Sequence, residues 1–213
     1  MKIISWNLAL LPKFLNIYRD PNRVFDIIIE RILVEDADII SLQELADVTA
    51  QKKLIDALKS NNYSTYYSKN NWCLNENGLL IATKEEIINV KNHKYESLFG
   101  LEYLFNLFGW GNKGIIMVET ENHVIYNTHL QSDYCCLNRL QKQTRINQHN
   151  ELKKFIEEPN KTTILCGDLN DDYEDSSLQQ LIRELPFTCC NDEKIVTFPS
   201  KNKQLDYILI NNK

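Results

Sequence analysis

The 213-residue chain lacks several things, and each lack narrows what it can be. No stretch reaches 18 uninterrupted apolar residues, so no transmembrane segment is expected. No N-terminal leader is visible. The first apolar run, KIISWNLALL, carries Trp6-Asn7 in its middle and lacks a small-residue cleavage site. Positive charge is scarce: 24 Lys and Arg face 29 Asp and Glu, a net charge of −5. That argues against a protein that coats nucleic acid by electrostatics alone. It leaves room for a nuclease, because a metal site can supply positive charge where phosphate binds. The six cysteines (Cys73, Cys135, Cys136, Cys166, Cys189, Cys190) form no Cys-x-x-Cys, and the two adjacent pairs cannot easily bridge internally. Reduced thiols and a cytoplasmic location are therefore expected. Glycine is sparse, and there is no internal repeat, low-complexity block or linker. The reading is a single domain over residues 1–213.

What is present is ordinary globular material. Hydrophobic residues make up 43% and charged residues 25%, which excludes a disordered chain and suffices for one large α/β core. KIISWN (2–7) reads as a buried strand ending at a polar residue. RVFDIIIERILVE (23–35) reads as a helix with Val24, Ile27, Ile28 and Ile32 on one face, opened by Asp20-Pro21. ADIISLQEL (37–45) is a second apolar run, residues 48–60 a second helix, and NGLLIATK (77–84) a third strand after an Asn-Gly turn. KGIIMVET and HVIYNTHL, separated by Glu121-Asn122, form a hairpin pattern. Residues 137–157 read as a helix with Leu137, Leu140, Leu152, Phe155 and Ile156 apolar, stopped by Pro159. The strand TTILCGDLN, the short helix SSLQQLIREL and the strand QLDYILI (204–210) complete the chain. Alternating strands and helices with one antiparallel hairpin favour a mixed-sheet α/β or α+β sandwich.

One pattern recurs. Apolar strands end, or are interrupted, at Asn7, Glu44, His129, Asp168 with Asn170, and Asp206. A polar group at the end of a core strand sits at the rim of the core. If those ends meet at one edge, the cluster of carboxylates and amides suits a hard divalent cation. A histidine beside it can donate a hydrogen bond to a phosphate oxygen. Gly167 allows close approach of backbone or substrate.

These residues resemble the endonuclease/exonuclease/phosphatase superfamily. The matching pieces are SWN (5–7), LQE (42–44), GLLIATK (78–84), NTHLQSDY (127–134), GDLND (167–171) and LDYIL (205–209), in family order along nearly the whole chain. Within it, GWGNKGIIM before the hairpin, THLQSDY, and a following helix with Arg145 and Gln148 are most similar to the neutral-sphingomyelinase-type branch. The resemblance implies a deoxyribonuclease-I-like α/β fold, a four-layer α/β/β/α sandwich of two mixed, mostly antiparallel sheets flanked by helices. It also implies a Mg2+-dependent phosphodiesterase, with Mn2+ or another divalent cation as substitutes for Mg2+. Glu44, with Asn7 and Asp206, would hold the metal. His129, Asp168 and Asn170 would be catalytic: a donor to the phosphate, the group that activates water, and a contact to phosphate and water. Lys113 and Tyr134 would touch substrate.

The sequence departs from the pattern at its end. Family members continue past LDYIL to a Ser-Asp-His segment. Here the four histidines are His93, His123, His129 and His149, and none follows Asp206. A fold truncated at its C-terminal strand is expected. The chain is then a fragment, a naturally impaired hydrolase, or a site in which another residue substitutes. A group in general acid–base catalysis is worth about 10²–10⁴-fold in rate.

LFGLEYLFNLFGW (98–110) is dominated by Leu, Phe, Tyr and Trp. It is either core-packing structure or a loop that touches lipid at a membrane surface. The substrate expected is a phosphodiester, either a phospholipid headgroup cleaved in sphingomyelinase fashion or a nucleic acid cut by a nuclease or DNA-end-processing enzyme. A third reading is a catalytically impaired binding module that keeps the fold. Arg139, Lys142 and Arg145 on one helix, with KNKQLDY, are the candidate basic contacts. A monomer is expected.

Overall fold

A computed structural model describes residues 1–10, 21–68, 78–100, 113–133, 138–157, 160–185, 187–190 and 195–211. The first sheet holds β1 (Ile3–Leu10), β2 (Ile39–Leu45), β3 (Ser64–Tyr67) and β4 (Leu80–Thr83), in the order β1-β2-β4-β3. The second holds β5 (Asn89–Lys94), β6 (Gly114–Glu119), β7 (His123–His129), β8 (Thr162–Asp168), β9 (Thr188–Cys189) and β10 (Asp206–Asn211), in the order β5-β6-β7-β8-β10-β9. The pairs β1–β2 and β7–β8 are parallel, and the other strand pairs are antiparallel. Among the described residues four α-helices flank them: α1 (Pro21–Val34), α2 (Val48–Ser60), α3 (Asn138–Phe155) and α4 (Ser176–Glu184). The expected sandwich of two mixed, mostly antiparallel sheets is what the chain forms.

Three apolar layers hold it together, and strand alternation assigns residues to them. Ile40, Leu42 and Ala82 pack outward with Phe25, Ile28 and Ile32 of α1 and Leu54 and Leu58 of α2. Ile39, Ile81, Ile125, Ile164 and Cys166 point the other way, into the layer between the sheets. Tyr126 and Leu165 face Leu152 of α3 and Leu178 and Leu181 of α4. Strands covered on both faces are apolar throughout, which explains the unbroken runs in the sequence.

Two helix faces differ from expectation. On α1 the buried stripe runs through Phe25, Ile28 and Ile32, while Ile27 is 55% exposed. Ile27 lies two positions past Phe25 and so faces the far side of a 3.6-residue turn. On α3 Leu140 is exposed, and the buried face carries Gln141, Thr144, Arg145, Gln148 and His149 above Leu152. Arg145 is therefore an interior residue and not a basic contact on the surface. Leu137 lies outside the described residues. No described helix is long and apolar enough to cross a membrane.

Candidate active site

The strand ends converge because of parity. Successive side chains on a strand alternate between faces. Ile125 and Ile164 face the layer between the sheets, with Ile3, Ile208 and Ile210 packed against it. Stepping by twos along the same face reaches Asn7 on β1, Asn127 and then His129 on β7, Asp168 on β8, and Asp206 on β10. Register brings them level: His129 pairs with Asp168, and Asp168 with Asp206 at the start of the antiparallel β10. The layer is thus apolar at one end and polar at the other. Just below the polar end, buried Asn127 bridges the sheets. Its Nδ2 donates to the Leu42 and Leu80 carbonyls at 2.8 and 3.0 Å, and its Oδ1 accepts from Gln43 at 2.7 Å.

Glu44 joins this cluster against the parity of its strand. Alternation from Ile40 and Leu42 would aim it at the helices. Its backbone instead adopts φ +53°, in the left-handed region that a non-glycine residue rarely enters. Gly78 makes room for the bend. The Leu45 N–H donates to its carbonyl at 2.9 Å, and a Cβ built on Gly78 would lie 2.9 Å from Leu45 N and 3.3 Å from the Glu44 carbonyl carbon. The turned Glu44 side chain accepts from Asn7 Nδ2 at 3.0 Å.

That Asn7 amide also donates to Asp168 Oδ2 at 2.9 Å, so one NH2 group bridges two carboxylates from different sheets. Its oxygen takes the Ala9 N–H at 3.0 Å. His129 Nε2 stands 3.6 Å from Glu44 Oε1 and 3.6 Å from Asp168 Oδ2. Lys113, itself buried, places Nζ 2.6 Å from His129 Nε2. Burial, reinforced by that ammonium, holds the imidazole well below its usual range, so the ring is neutral. Asn170, at φ +51°, donates its N–H to Asp168 Oδ1 at 3.0 Å and its Nδ2 to the Leu130 carbonyl at 3.0 Å. Asp206 is held from behind, where its N–H and that of Leu205 donate to Thr197 Oγ1 at 3.1 and 2.8 Å.

The electrostatics are those of carboxylates crowded out of water. Burial pushes the Asp168 carboxyl up, and the charge of Asp206 adds to it; Asn7 and Lys113 pull the other way. Burial likewise raises Asp206, the Thr197 hydroxyl opposes, and the charge of Glu44 raises it further. Among the described residues no three His, Cys, Asp or Glu side chains make a metal nest by themselves. The donor chemistry nonetheless fits a hard dication. Glu44 and Asp206 repel across the cluster, all their donors are oxygen, and water would fill the remaining positions, joined by the Asn7 oxygen only if that amide turns it away from the Ala9 N–H.

Seven of the eight residues singled out from the sequence (Asn7, Glu44, Lys113, His129, Asp168, Asn170 and Asp206) lie at this one rim. Tyr134 lies outside the described residues, as do positions 101–110 of the apolar segment. Three contributors were not legible. Thr197 has no motif and acts through a bond to a distant backbone. Asn127 sits inside a recognised motif but bridges the sheets. Asp171 closes GDLND, where it reads as a turn residue, yet it is buried against Arg145. The paired apolar strands around Asn127, with a lone amide inside, were the one available signal.

A sequence model of the Endonuclease/Exonuclease/phosphatase family matches residues 4–213. No curated protein matches the chain. Among solved structures, SmcL superposes with a TM-score of 0.83 at 20% identity, covering 99% of this chain and 83% of that one. Sphingomyelinase C from Streptomyces griseocarneus gives 0.78 at 18% identity, with coverage of 99% and 83%. A mutant beta toxin from Staphylococcus aureus, with bound magnesium ions, gives 0.77 at 19% identity, with coverage of 98% and 83%. At these identities the likeness is one of fold.

Proposed function

The chain belongs to the endonuclease/exonuclease/phosphatase family, and on that premise we propose that it is a Mg2+-dependent phosphodiesterase acting on a phospholipid headgroup. The observation that carries this reading is the Asn7 amide shared between Glu44 and Asp168, with His129 3.6 Å from both carboxylates. Side chains from two sheets meet there at the polar rim of a layer that is apolar at its other end. Sphingomyelinase C and the magnesium-bound beta toxin, both similar in fold, favour the lipid substrate and the metal.

Glu44 and Asp206 would hold the cation, and Asn7 would join them once its amide turns its oxygen, here bonded to the Ala9 N–H, toward it. When bound, it would neutralise the non-bridging phosphate oxygens and lower the pKa of a coordinated water. Asp168, whose carboxyl burial pushes up, is a better base than an exposed aspartate and would orient the attacking water. His129 is neutral, so one ring nitrogen carries a proton for a phosphate oxygen. Lys113 adds a buried cation for the same charge, and Asn170 supplies a neutral donor held in a strained turn.

The test is hydrolysis by the purified chain with Mg2+, offered a choline phospholipid, duplex DNA or single-stranded DNA. Glu44→Ala is the control. Phosphocholine release that vanishes in the variant is the expected result. DNA cleavage that vanishes instead replaces lipid by nucleic acid, and no turnover on any phosphodiester leaves a binding module.

A further inference from the structure

The polar face of α3 raises a question that the active-site residues do not answer. Arg145 is 3% exposed, inside the protein. Its Nε donates to Asp171 Oδ1 at 2.6 Å. Its Nη1 donates to the Gln131 carbonyl at 3.1 Å and to Asp133 Oδ1 at 2.7 Å. Gln131 and Asp133 belong to the loop that leaves β7 just after His129. Asp171 belongs to the loop that leaves β8 just after Asp168 and Asn170. One planar guanidinium thus bonds both loops, one on each edge of its fork.

The rest of the surroundings fixes the same geometry. Gln148, one turn along α3, accepts the Gln131 N–H at 2.8 Å. Asp171 also accepts from Ser177 Oγ at 3.3 Å, and its carbonyl accepts from the Tyr207 hydroxyl at 2.9 Å, tying in β10 beside Asp206. Between these anchors sits Asn170, in a left-handed conformation that its neighbours hold in place. The residue after it is clamped by Arg145. The residue pair across from it, Leu130 and Gln131, is clamped by Asn170 and Arg145 together.

We infer that Arg145 is a positioning residue: its buried guanidinium sets the spacing between His129 and Asn170 by holding the loops that follow their strands. It touches no reacting atom. It acts through Gln131 and Asp133 on one side and Asp171 on the other. Its relevance to turnover rests on the phosphodiesterase reading above, whereas the tie between the loops does not. An ammonium cannot replace it, because a point charge reaches one loop or the other but does not present a fork to both.

The experiment compares the full chain with Arg145→Met, Arg145→Lys and the pair Arg145→Met/Asp171→Asn. The pair matters because the single methionine leaves a buried carboxylate without its cation and is expected to unfold the protein. Three quantities are read on each folded variant: kcat and KM on bis-p-nitrophenyl phosphate with Mg2+, Mg2+ affinity by calorimetry, and hydrogen exchange of segments 129–133 and 168–172. The pair is expected to keep Mg2+ affinity and KM within about threefold while kcat falls about 100-fold, since misplacement by about an ångström costs that much. Exchange in both segments should rise together at least tenfold, with the strands unchanged. Arg145→Lys should restore the fold without restoring kcat. Wild-type kcat in the folded pair, or unaltered exchange in the two segments, overturns the inference. If the wild-type chain turns over no phosphodiester, the hydrolase reading falls alone and the exchange result still decides the tie.

Discussion

Single atoms decide much of this site. Gly167 is one case: a Cβ added there would lie 2.1 Å from the Thr128 carbonyl oxygen across the β7–β8 pair, so only glycine lets those strands close beside His129 and Asp168. Gly167→Ala should destabilise the fold by about 3 kcal/mol, read as a lowered urea midpoint with unchanged slope; a midpoint within error of wild type refutes it. His149 is a second case. Burial holds its imidazole down to about 4, Arg145 and Lys153 push the same way, and Asp175 opposes. The Asp171 carboxylate 3.4 Å away would favour the charged ring, but Arg145 already neutralises it, so burial wins. An unfolded histidine titrates near 6.5. Above that pH both states are neutral and the full stability is present. As pH falls through 6.5 the unfolded chain takes the proton and the folded one does not, so stability drops until the folded ring titrates near pH 4. The window is worth about 3 kcal/mol, and the Asp171 carboxyl, raised by burial, offsets part of it at the acid end. His149→Gln should flatten the plot of unfolding free energy against pH between 6.5 and 4. An unchanged slope there would assign the acid sensitivity to other groups. At this scale the sequence disclosed Asn7, Glu44, His129, Asp168 and Asp206, because each is a polar residue at which an apolar run ends or breaks. It did not disclose how Glu44 reaches the others, since a left-handed φ propped by a glycine far along the chain runs against strand parity.

Elements were legible where burial makes them apolar. β2, β4, β7 and β8 are covered on both faces, and each stood out as a run; α2 was read at its observed bounds, Val48–Ser60. Two edge strands and the two-residue β9 were not read. β5 is NVKNHK, largely exposed, and β3 is STYY, half-buried throughout. An edge strand in water carries polar side chains and leaves no period to detect. The polar face of α3 was hidden for the opposite reason: a buried stripe of Gln, Thr, Arg and His looks like a solvated one until its partners are known. Caps, by contrast, act locally. Asp47 precedes α2, and its buried carboxylate accepts the Ala50 N–H at 2.9 Å. Asp47→Ala strips that acceptor and should cost about 1 kcal/mol, a drop in melting temperature of about 2–4 °C. Asp47→Ser should recover most of it; a serine variant as unstable as the alanine one would show that the cap is not the cause.

Across the whole molecule, the two sheets are joined at one end by an apolar layer and at the other by charges that repel. Asn7 and Glu44 come from the first sheet, Asp168 and Asp206 from the second. Among the described residues burial raises both aspartates, the charge of Asp206 adds to it at Asp168 and that of Glu44 at Asp206, and Lys113 offsets part of the shift at Asp168. A dication held by Glu44 and Asp206, with Asn7 once its amide turns, would attach one sheet to the other and remove the repulsion in one step, which links metal binding to global stability. A ligand that binds only the folded state at 100 times its dissociation constant adds about 2.7 kcal/mol. Mg2+ at that excess should therefore raise the melting temperature by several degrees, and a chelator should reverse it. Each of Glu44→Ala and Asp206→Asn should abolish the rise. Without Mg2+, Asp206→Asn should melt no lower than wild type, because it removes one of the repelling charges. Arg139→Ala, on the exposed side of α3, should leave the rise intact and so control for ionic strength. A folded wild-type chain whose melting temperature ignores Mg2+ would mean that the rim carries its crowded carboxylates for some purpose other than holding a cation.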